Sequence, residues 1–119
     1  MGKTRQKLGQ WGEAQAIRHL EARGCRIVAR NWRCASGEVD VVVQEDDCLA
    51  FVEVRTRRGR AYGSPEESIT PKKLARMAAV AESYIYAHDW EGNWRLDVVA
   101  IRVRAGQEPA IEWYRNVSM

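Results

Sequence analysis

Two short apolar runs that each contain an acidic residue constrain the fold of this chain more than any other feature. In residues 37–43 and 51–55, apolar side chains, many of them β-branched, alternate with other residues at a period of two. This alternation predicts a β-strand in each run. The pair Asp46 and Asp47 between them is typical of a tight turn. If these two residues form the loop, Glu45 faces Cys48 and the runs pair as an antiparallel hairpin.

This register brings two acids together. Asp40 lies directly opposite Glu53, and Glu38 lies opposite Arg55, with the Cα atoms of each pair about 4.5–5.5 Å apart. Two carboxylates at this separation repel each other unless a cation or a shared proton lies between them, and a divalent metal ion is the simplest solution. The inference depends on the register, because a shift of one residue would place the two acids on opposite faces of the sheet.

The acids and the arginine of this hairpin suggest a chemistry. Alternation predicts that Asp40, Glu53 and Arg55 share one face, whereas Val39, Val41 and Val43 share the other. Mg²⁺ or Mn²⁺ takes oxygen ligands, and such an ion activates water for attack on a phosphodiester. Glu13, on a predicted helix, would add a ligand or a contact to water. The alternatives are a buried ion-pair network of the three strand residues, and for Glu13 a first-turn acid favoured by the helix dipole.

Basic residues concentrate in two segments of this 119-residue chain, whose length is typical of a single domain spanning residues 1–119. The net charge is only +3, so the distribution of charge is more informative than its sum. A basic N-terminal arm covers about residues 1–7, and Arg55, Arg57, Arg58 and Arg60 lie within six residues of one another. Beside an acidic cluster, this run favours a polyanionic partner, and we expect its arginines to bind nucleic acid. The alternative is a solvated loop.

The order of predicted elements indicates an α/β fold with a mixed sheet flanked by helices. Periodicity and capping signals predict helices and strands in the order αβββαβ, followed by one more strand. Thr70 and Pro71 have the form of a helix N-cap and first position. Arg95 and Asp97 lie two apart on a predicted strand, so we expect a structural pair. The predicted elements are a helix over 6–23, strands over 25–32, 38–44 and 48–56, a helical turn over 64–67, a helix over 71–87, and strands over 94–103 and 110–114.

The remaining composition predicts a soluble cytoplasmic protein. Cys25, Cys34 and Cys48 have neither CxxC nor zinc-site spacing, so we expect free thiols. The first fifteen residues contain no apolar segment of a secretory signal, and no stretch is long and apolar enough to cross a membrane. The five tryptophans are expected in the core or at its rim, with base stacking as the alternative for one of them.

Taken together, these residues resemble a known family. The pattern from Asp40 to Glu53-Val54-Arg55 is similar to the PD-(D/E)xK nuclease motif, with arginine where lysine is usual. Over about residues 8–103 the chain resembles the YraN-like family of uncharacterised bacterial proteins, which is regarded as endonuclease-like in fold and akin to archaeal Holliday-junction resolvases. The matching residues are Gly9, Gly12-Glu13, Ala16, Leu20, Gly24, Asn31, Gly37-Glu38-Val39-Asp40, Phe51-Val52-Glu53-Val54-Arg55-Thr56-Arg57, Gly63, Thr70-Pro71-Lys72-Lys73 and Arg95-Leu96-Asp97.

The resemblance implies a restriction-endonuclease-like αβββαβ core and assigns roles to particular residues. Asp40 and Glu53 would be the metal carboxylates, and Glu13 the acid supplied by the helix. Arg55 takes the place of the usual catalytic lysine; it stays protonated and cannot act as a base, but it can bind phosphate through two donors. Lys73 would supply the missing ammonium group if its helix end faces the cleft, and ordinary solvent exposure is the alternative.

Three functions follow as hypotheses. The first is a metal-dependent nuclease, using Mg²⁺ or Mn²⁺, that acts on structured or branched nucleic acid, with DNA favoured over RNA. The second is a nucleic-acid-binding module on a nuclease scaffold without catalysis, suggested by Arg55. The third is a structural or regulatory protein in which the charges form an internal network. Because an enzyme that cuts both strands usually works as a two-fold dimer, we also expect a homodimer.

Overall fold

A five-stranded mixed sheet lies between two helices in the computed structural model, which describes residues 2–59 and 69–117. The strands are neighbours in chain order, with β3 and β4 parallel and every other adjacent pair antiparallel. This arrangement confirms the predicted αβββαβ order followed by a last strand. The elements are α1 (Gly2–Ala22), β1 (Arg26–Cys34), β2 (Gly37–Glu45), β3 (Cys48–Arg58), α2 (Pro71–Ala87), β4 (Asn93–Val103) and β5 (Ala110–Tyr114).

The β2–β3 hairpin has the predicted register. Glu45 pairs with Cys48 across the turn, and pairing continues in step as far as Val41 and Val52. Asp46 makes the turn possible by adopting a left-handed backbone conformation with φ of 55°, which Asp and Asn tolerate better than most residues. The register that sequence alternation predicted is therefore confirmed over the paired part of the hairpin.

Helix α2 forms the crossover that the parallel pair β3 and β4 requires. It begins as predicted: Pro71 occupies the first turn, and the Thr70 hydroxyl accepts a hydrogen bond of 3.1 Å from the backbone N–H of Lys73. This hydrogen bond satisfies one of the N–H groups that have no partner within the helix.

The two helices cover opposite faces of the sheet and bury two separate apolar clusters. On one face, α1 places Ala16 and Leu20 against valines of β2 and β3 and against the second half of β4. On the other face, α2 places Val80, Ala81 and Tyr84 against a second set that includes Phe51. The central strands are thus buried on both faces, which explains their nearly continuous apolar sequences.

Strict alternation fails at one position of β2, and there the predicted orientation of Val39 is wrong. Val41 and Val43 belong to the cluster under α1, as alternation requires, but Val39 packs with Val42 in the cluster under α2. The change of face coincides with two irregularities: β2–β3 pairing ends at Val41, and Asn31 of the adjacent strand β1 has a φ of 50°. Asp40 lies at this point.

Several element boundaries differ from the predictions. Helix α1 begins at Gly2, so the segment predicted as a basic arm is helical from that residue onward. Strand β3 continues to Arg58, two residues beyond the predicted end, and β1 continues to Cys34. The predicted helical turn over 64–67 lies outside the described residues. The three cysteines are free thiols, as predicted. None of the helices described for this chain is long and apolar enough to cross a membrane.

Candidate active site

Helix α1 approaches β3 closely, and this approach brings Glu13 to the sheet. Gly12 is buried, and a Cβ atom added there would collide with Thr56 Oγ1 and lie 3.1 Å from Thr56 Cβ. A glycine is therefore needed for the helix to lie this close to the strand. The next residue, Glu13, lines the same pocket as Asp40. The sequence pattern indicates Glu13 as a candidate but not the contact that positions it, because that contact joins Gly12 to Thr56, 44 positions further along the chain.

Asp40 lies where strands β2 and β3 separate. Instead of continuing the ladder, its Oδ2 atom accepts a hydrogen bond of 2.8 Å from the backbone N–H of Val54. The carboxylate thus replaces a backbone carbonyl as the partner of β3 and is held at the end of the paired segment. Its neighbour Glu38, predicted opposite Arg55, forms an ion pair with Arg33 of β1 instead.

Glu53 and Arg55 form an ion pair on β3, with Arg55 Nε 2.8 Å from Glu53 Oε2. Both side chains are largely buried. The contact between Nε and Oε2 is a close ion pair without hydrogen-bond geometry, and Arg55 Nη2 is buried and has no hydrogen-bond partner among the described residues. Since a buried N–H group without a partner is costly, this nitrogen is a donor available for a ligand.

Three acids surround Asp40 and affect its protonation. Burial raises the pKa of Asp40 from 3.8 to about 6, the hydrogen bond from Val54 opposes this rise, and the charges of Glu13, Glu53 and Glu38 add to it. A carboxyl group with like charges on several sides and few cations is destabilised in its ionised form. A bound cation would relieve this repulsion, and carboxylate oxygens are the donors that Mg²⁺ and Mn²⁺ prefer.

The predicted site residues divide between two hollows that meet at Asp40. The larger, which we call the acid pocket, has a volume of about 630 Å³ and is lined by Glu13, Asp40, Arg55 and further residues of α1 and β3. A crevice of about 10 Å³ on the α2 side is lined by Glu38, Asp40 and Glu53 together with four apolar residues of β2, β3 and α2. Glu53 therefore lies at the back of the site rather than in the acid pocket. Within the described part of the chain, no three His, Cys, Asp or Glu side chains are arranged to hold a metal ion.

The predicted cationic residues are only partly brought together. Arg57 and Arg58 are exposed and line the acid pocket. Lys73 lies in the first turn of α2, which covers the opposite face of the sheet, and it does not line this pocket. Arg60 lies outside the described residues. Thr56 also lines the acid pocket; it is one of the residues that match the family, but the sequence assigned it no role because it carries no charge.

A second charged cluster at the other end of the sheet is structural. Asp97 is completely buried and accepts hydrogen bonds from Arg95, from the Trp113 indole at 2.9 Å, and from the backbone of Asn116 at 3.0 Å. Arg95 also contacts Glu45 at 2.8 Å. Burial alone would lower the pKa of Arg95, but its hydrogen bonds and the charge of Asp97 raise that pKa above its ordinary value. The predicted pairing of Arg95 with Asp97 is confirmed.

Comparison with known proteins identifies relatives of the whole chain. The family model described as "Uncharacterised protein family UPF0102" matches residues 12–101. A UPF0102 protein of Roseiflexus castenholzii is 53% identical over 111 residues, which cover 91% of this chain and 90% of that protein. A UPF0102 protein of Herpetosiphon aurantiacus is 39% identical over 124 residues, which cover 100% of this chain and 99% of that protein. Among solved structures, Pyrococcus furiosus SfsA in complex with Ca²⁺ aligns with a TM-score of 0.37 and 13% identity, covering 87% of this chain and 62% of the other.

Proposed function

This chain belongs to the UPF0102 family, and we propose that it is a metal-dependent nuclease that hydrolyses phosphodiester bonds in structured or branched DNA. The proposal is supported by one observation above all. Glu13 on α1 and Glu53 on β3 each lie near Asp40 on β2, at the point where two strands separate. Three arginines line the acid pocket beside Glu13 and Asp40.

The residues present suit a divalent metal ion. Asp40 and Glu53 would hold Mg²⁺ or Mn²⁺, because both line the crevice that meets the acid pocket at Asp40. Mg²⁺ is usually held by one or two carboxylates together with waters and substrate phosphates, so a site with two protein ligands is ordinary for this ion. When bound, such an ion supplies a more acidic water and neutralises charge on the phosphodiester.

The chain's own side chains have separate roles in this proposal. The Nη2 atom of Arg55 donates to a phosphate oxygen, while its Nε atom remains paired with Glu53. Glu13 faces the acid pocket from the helix and accepts a hydrogen bond from the attacking water. The exposed guanidinium groups of Arg57 and Arg58 attract the phosphate backbone to the pocket.

Cleavage assays with matched variants test this proposal. Purified protein is incubated with fluorescent four-way junctions, flaps and single strands in Mg²⁺, Mn²⁺ or EDTA. Cleavage should require the metal and should fall at least about 100-fold in Asp40→Asn and in Glu53→Gln, because each variant removes a charged ligand. Asp47→Asn, which changes an exposed acid in the β2–β3 turn, is the matched control and should cleave normally. Cleavage that persists in both site variants would rule out these residues as the metal ligands.

A second candidate, nucleic-acid binding without catalysis, is favoured by the ion pair of Arg55 with Glu53. Because Arg55 pairs with Glu53, one of the two carboxylates proposed to hold the metal, it reduces the negative charge available to a metal ion. In this case Mn²⁺ should bind too weakly for calorimetry to detect, DNA binding should weaken steeply with salt, and Arg55→Lys should not create metal-dependent cleavage. Metal-dependent cleavage by the wild-type protein would exclude this candidate.

A further inference from the structure

The acid pocket does not end at the arginines but opens into a second depression beside helix α1. This depression, which we call the side groove, has a volume of about 350 Å³ and is lined by Lys7, Leu8, Trp11, Arg58 and Val103. It shares Leu8 and Arg58 with the acid pocket. The two therefore form one continuous surface along the N-terminal half of α1 and the end of β3.

The surface continues past the end of β4. A third depression of about 660 Å³ shares Arg58 and Val103 with the side groove and adds Arg104. Lys7, Arg58 and Arg104 are all exposed. A polyanionic strand bound along this surface would leave the acid pocket and pass the side chains of three cations in succession.

Trp11 adds an exposed aromatic ring to the cations of the side groove. Its side chain is 37% exposed, although a tryptophan is usually kept largely from water when it serves only to pack. It lies on a helix held against the sheet by the adjacent Gly12, so the indole is presented from a rigid position. The other four tryptophans do not line the side groove.

We propose that the side groove binds an unpaired segment of the nucleic acid that is cut in the acid pocket, with one base stacked on the Trp11 indole. The cations support this occupant because each can contact a backbone phosphate, and the exposed aromatic ring supports an unpaired segment because a base within a duplex has no free face to stack. The inference rests on the proposed function, since it takes the acid pocket as the place of cleavage. It narrows the substrate to DNA with a single-stranded extension or branch.

Binding of paired substrates tests this inference. The probes are a fluorescein-labelled 20-base-pair blunt duplex and the same duplex with a six-thymidine extension, measured by fluorescence anisotropy in EDTA so that nothing is cleaved. The wild-type protein should bind the extended duplex at least about fivefold more tightly than the blunt duplex, the gain expected from one stacked base. Trp11→Ala should lose this preference while its affinity for the blunt duplex stays unchanged, and Trp11→Phe should keep most of it.

Trp94→Ala is the matched control, because Trp94 is similarly exposed at 39% but does not line the side groove. This variant should retain the full preference for the extension. Equal binding of the two probes by the wild-type protein would overturn the inference, as would a Trp11→Ala variant that still prefers the extension. Thermal unfolding of each variant checks that the fold is intact.

Photochemical cross-linking provides a readout that does not depend on a destabilising substitution. A 5-iodouracil placed in the extension should cross-link to the tryptic peptide of residues 8–18, in which Trp11 is the only aromatic residue. A cross-link only to other peptides would overturn the inference.

The cleavage assay separates this inference from the proposed function. If Mn²⁺-dependent cleavage occurs but the extension changes neither binding nor rate, the nuclease proposal survives and the side groove has no such role. If the extension and Trp11 control binding but no metal supports cleavage, the nuclease proposal fails and the side groove binds single strands on a non-catalytic protein.

Discussion

Replacing Asp40 by asparagine should stabilise the protein at neutral pH, although it alters a buried polar residue. The asparagine Oδ1 atom can still accept the hydrogen bond from the Val54 N–H, so the link between β2 and β3 is kept. What the change removes is a negative charge close to Glu13, Glu53 and Glu38. Removing a charge from like-charged and poorly solvated surroundings favours the folded state.

The size and pH dependence of this effect follow from the pKa of Asp40. The rise of this pKa from 3.8 to about 6 corresponds to a destabilisation of the folded protein by about 3 kcal/mol when Asp40 is ionised, at about 1.4 kcal/mol for each pKa unit. Because the surroundings of a half-buried group relax, we expect the variant to gain about 1–3 kcal/mol in its free energy of unfolding. Because the pKa is higher in the folded protein, this group favours folding fully below pH 3.8, and its contribution is lost as the pH rises through about 6. The difference between variant and wild type should therefore be largest near pH 8 and vanish below about pH 4.

Urea unfolding in EDTA at pH 8 and at pH 4, followed by circular dichroism, measures the difference. Asp47→Asn is again the control, and its free energy of unfolding should stay within about 0.5 kcal/mol of wild type at both values. Adding Mg²⁺ to ten times its dissociation constant should stabilise the wild-type protein by about 1.4 kcal/mol and leave Asp40→Asn unchanged. An Asp40→Asn protein that is less stable than wild type at pH 8 would refute the reasoning.

Three further predictions concern the framework of the site. Gly12→Ala should lower the free energy of unfolding by about 1–3 kcal/mol because the added methyl group meets Thr56. Gly9→Ala on the same helix has open space around it and should raise the free energy of unfolding by up to about 1 kcal/mol. Urea unfolding of both variants tests this, and equal effects of the two substitutions would contradict it. Asp97→Asn should cost about 2–3 kcal/mol because it removes one of the two carboxylates that pair with the Arg95 guanidinium and leaves only Glu45, and a loss below about 1 kcal/mol would show that the pair with Asp97 is dispensable. At Asn31, whose φ is 50°, substitution by valine should cost about 1–2 kcal/mol and substitution by glycine should be nearly neutral, with the melting temperatures of the two variants as the measurement.

The hairpin at the centre of the site was largely predictable. Its register follows from two local features, the Asp46-Asp47 turn and the period of two in the strands, and both act over a few residues. The N-cap at Thr70 and the pairing of Arg95 with Asp97 were predictable for the same reason, since their partners lie two or three residues away.

The predictions failed where a residue's environment comes from distant parts of the chain. Alternation placed Val39 with Val41, but the end of β2–β3 pairing and the packing of α2 placed it with Val42. The partners of Asp97 other than Arg95, namely Trp113 and Asn116, come from the last strand and the segment beyond it. No pattern near Asp97 indicates either of them.

The amino-acid order alone determined which segments become strands and helices, how β2 pairs with β3, and that Asp40 would lie near Glu53, because propensity, turn chemistry and side-chain period act between near neighbours. Only the tertiary structure decided that Gly12 lets Glu13 line the same pocket as Asp40, that Glu53 lies behind this acid pocket, and that Trp11 lines a groove leading away from it. These depend on how a helix and a sheet from distant parts of the chain pack together, and packing is a property of shapes in contact that no local pattern contains.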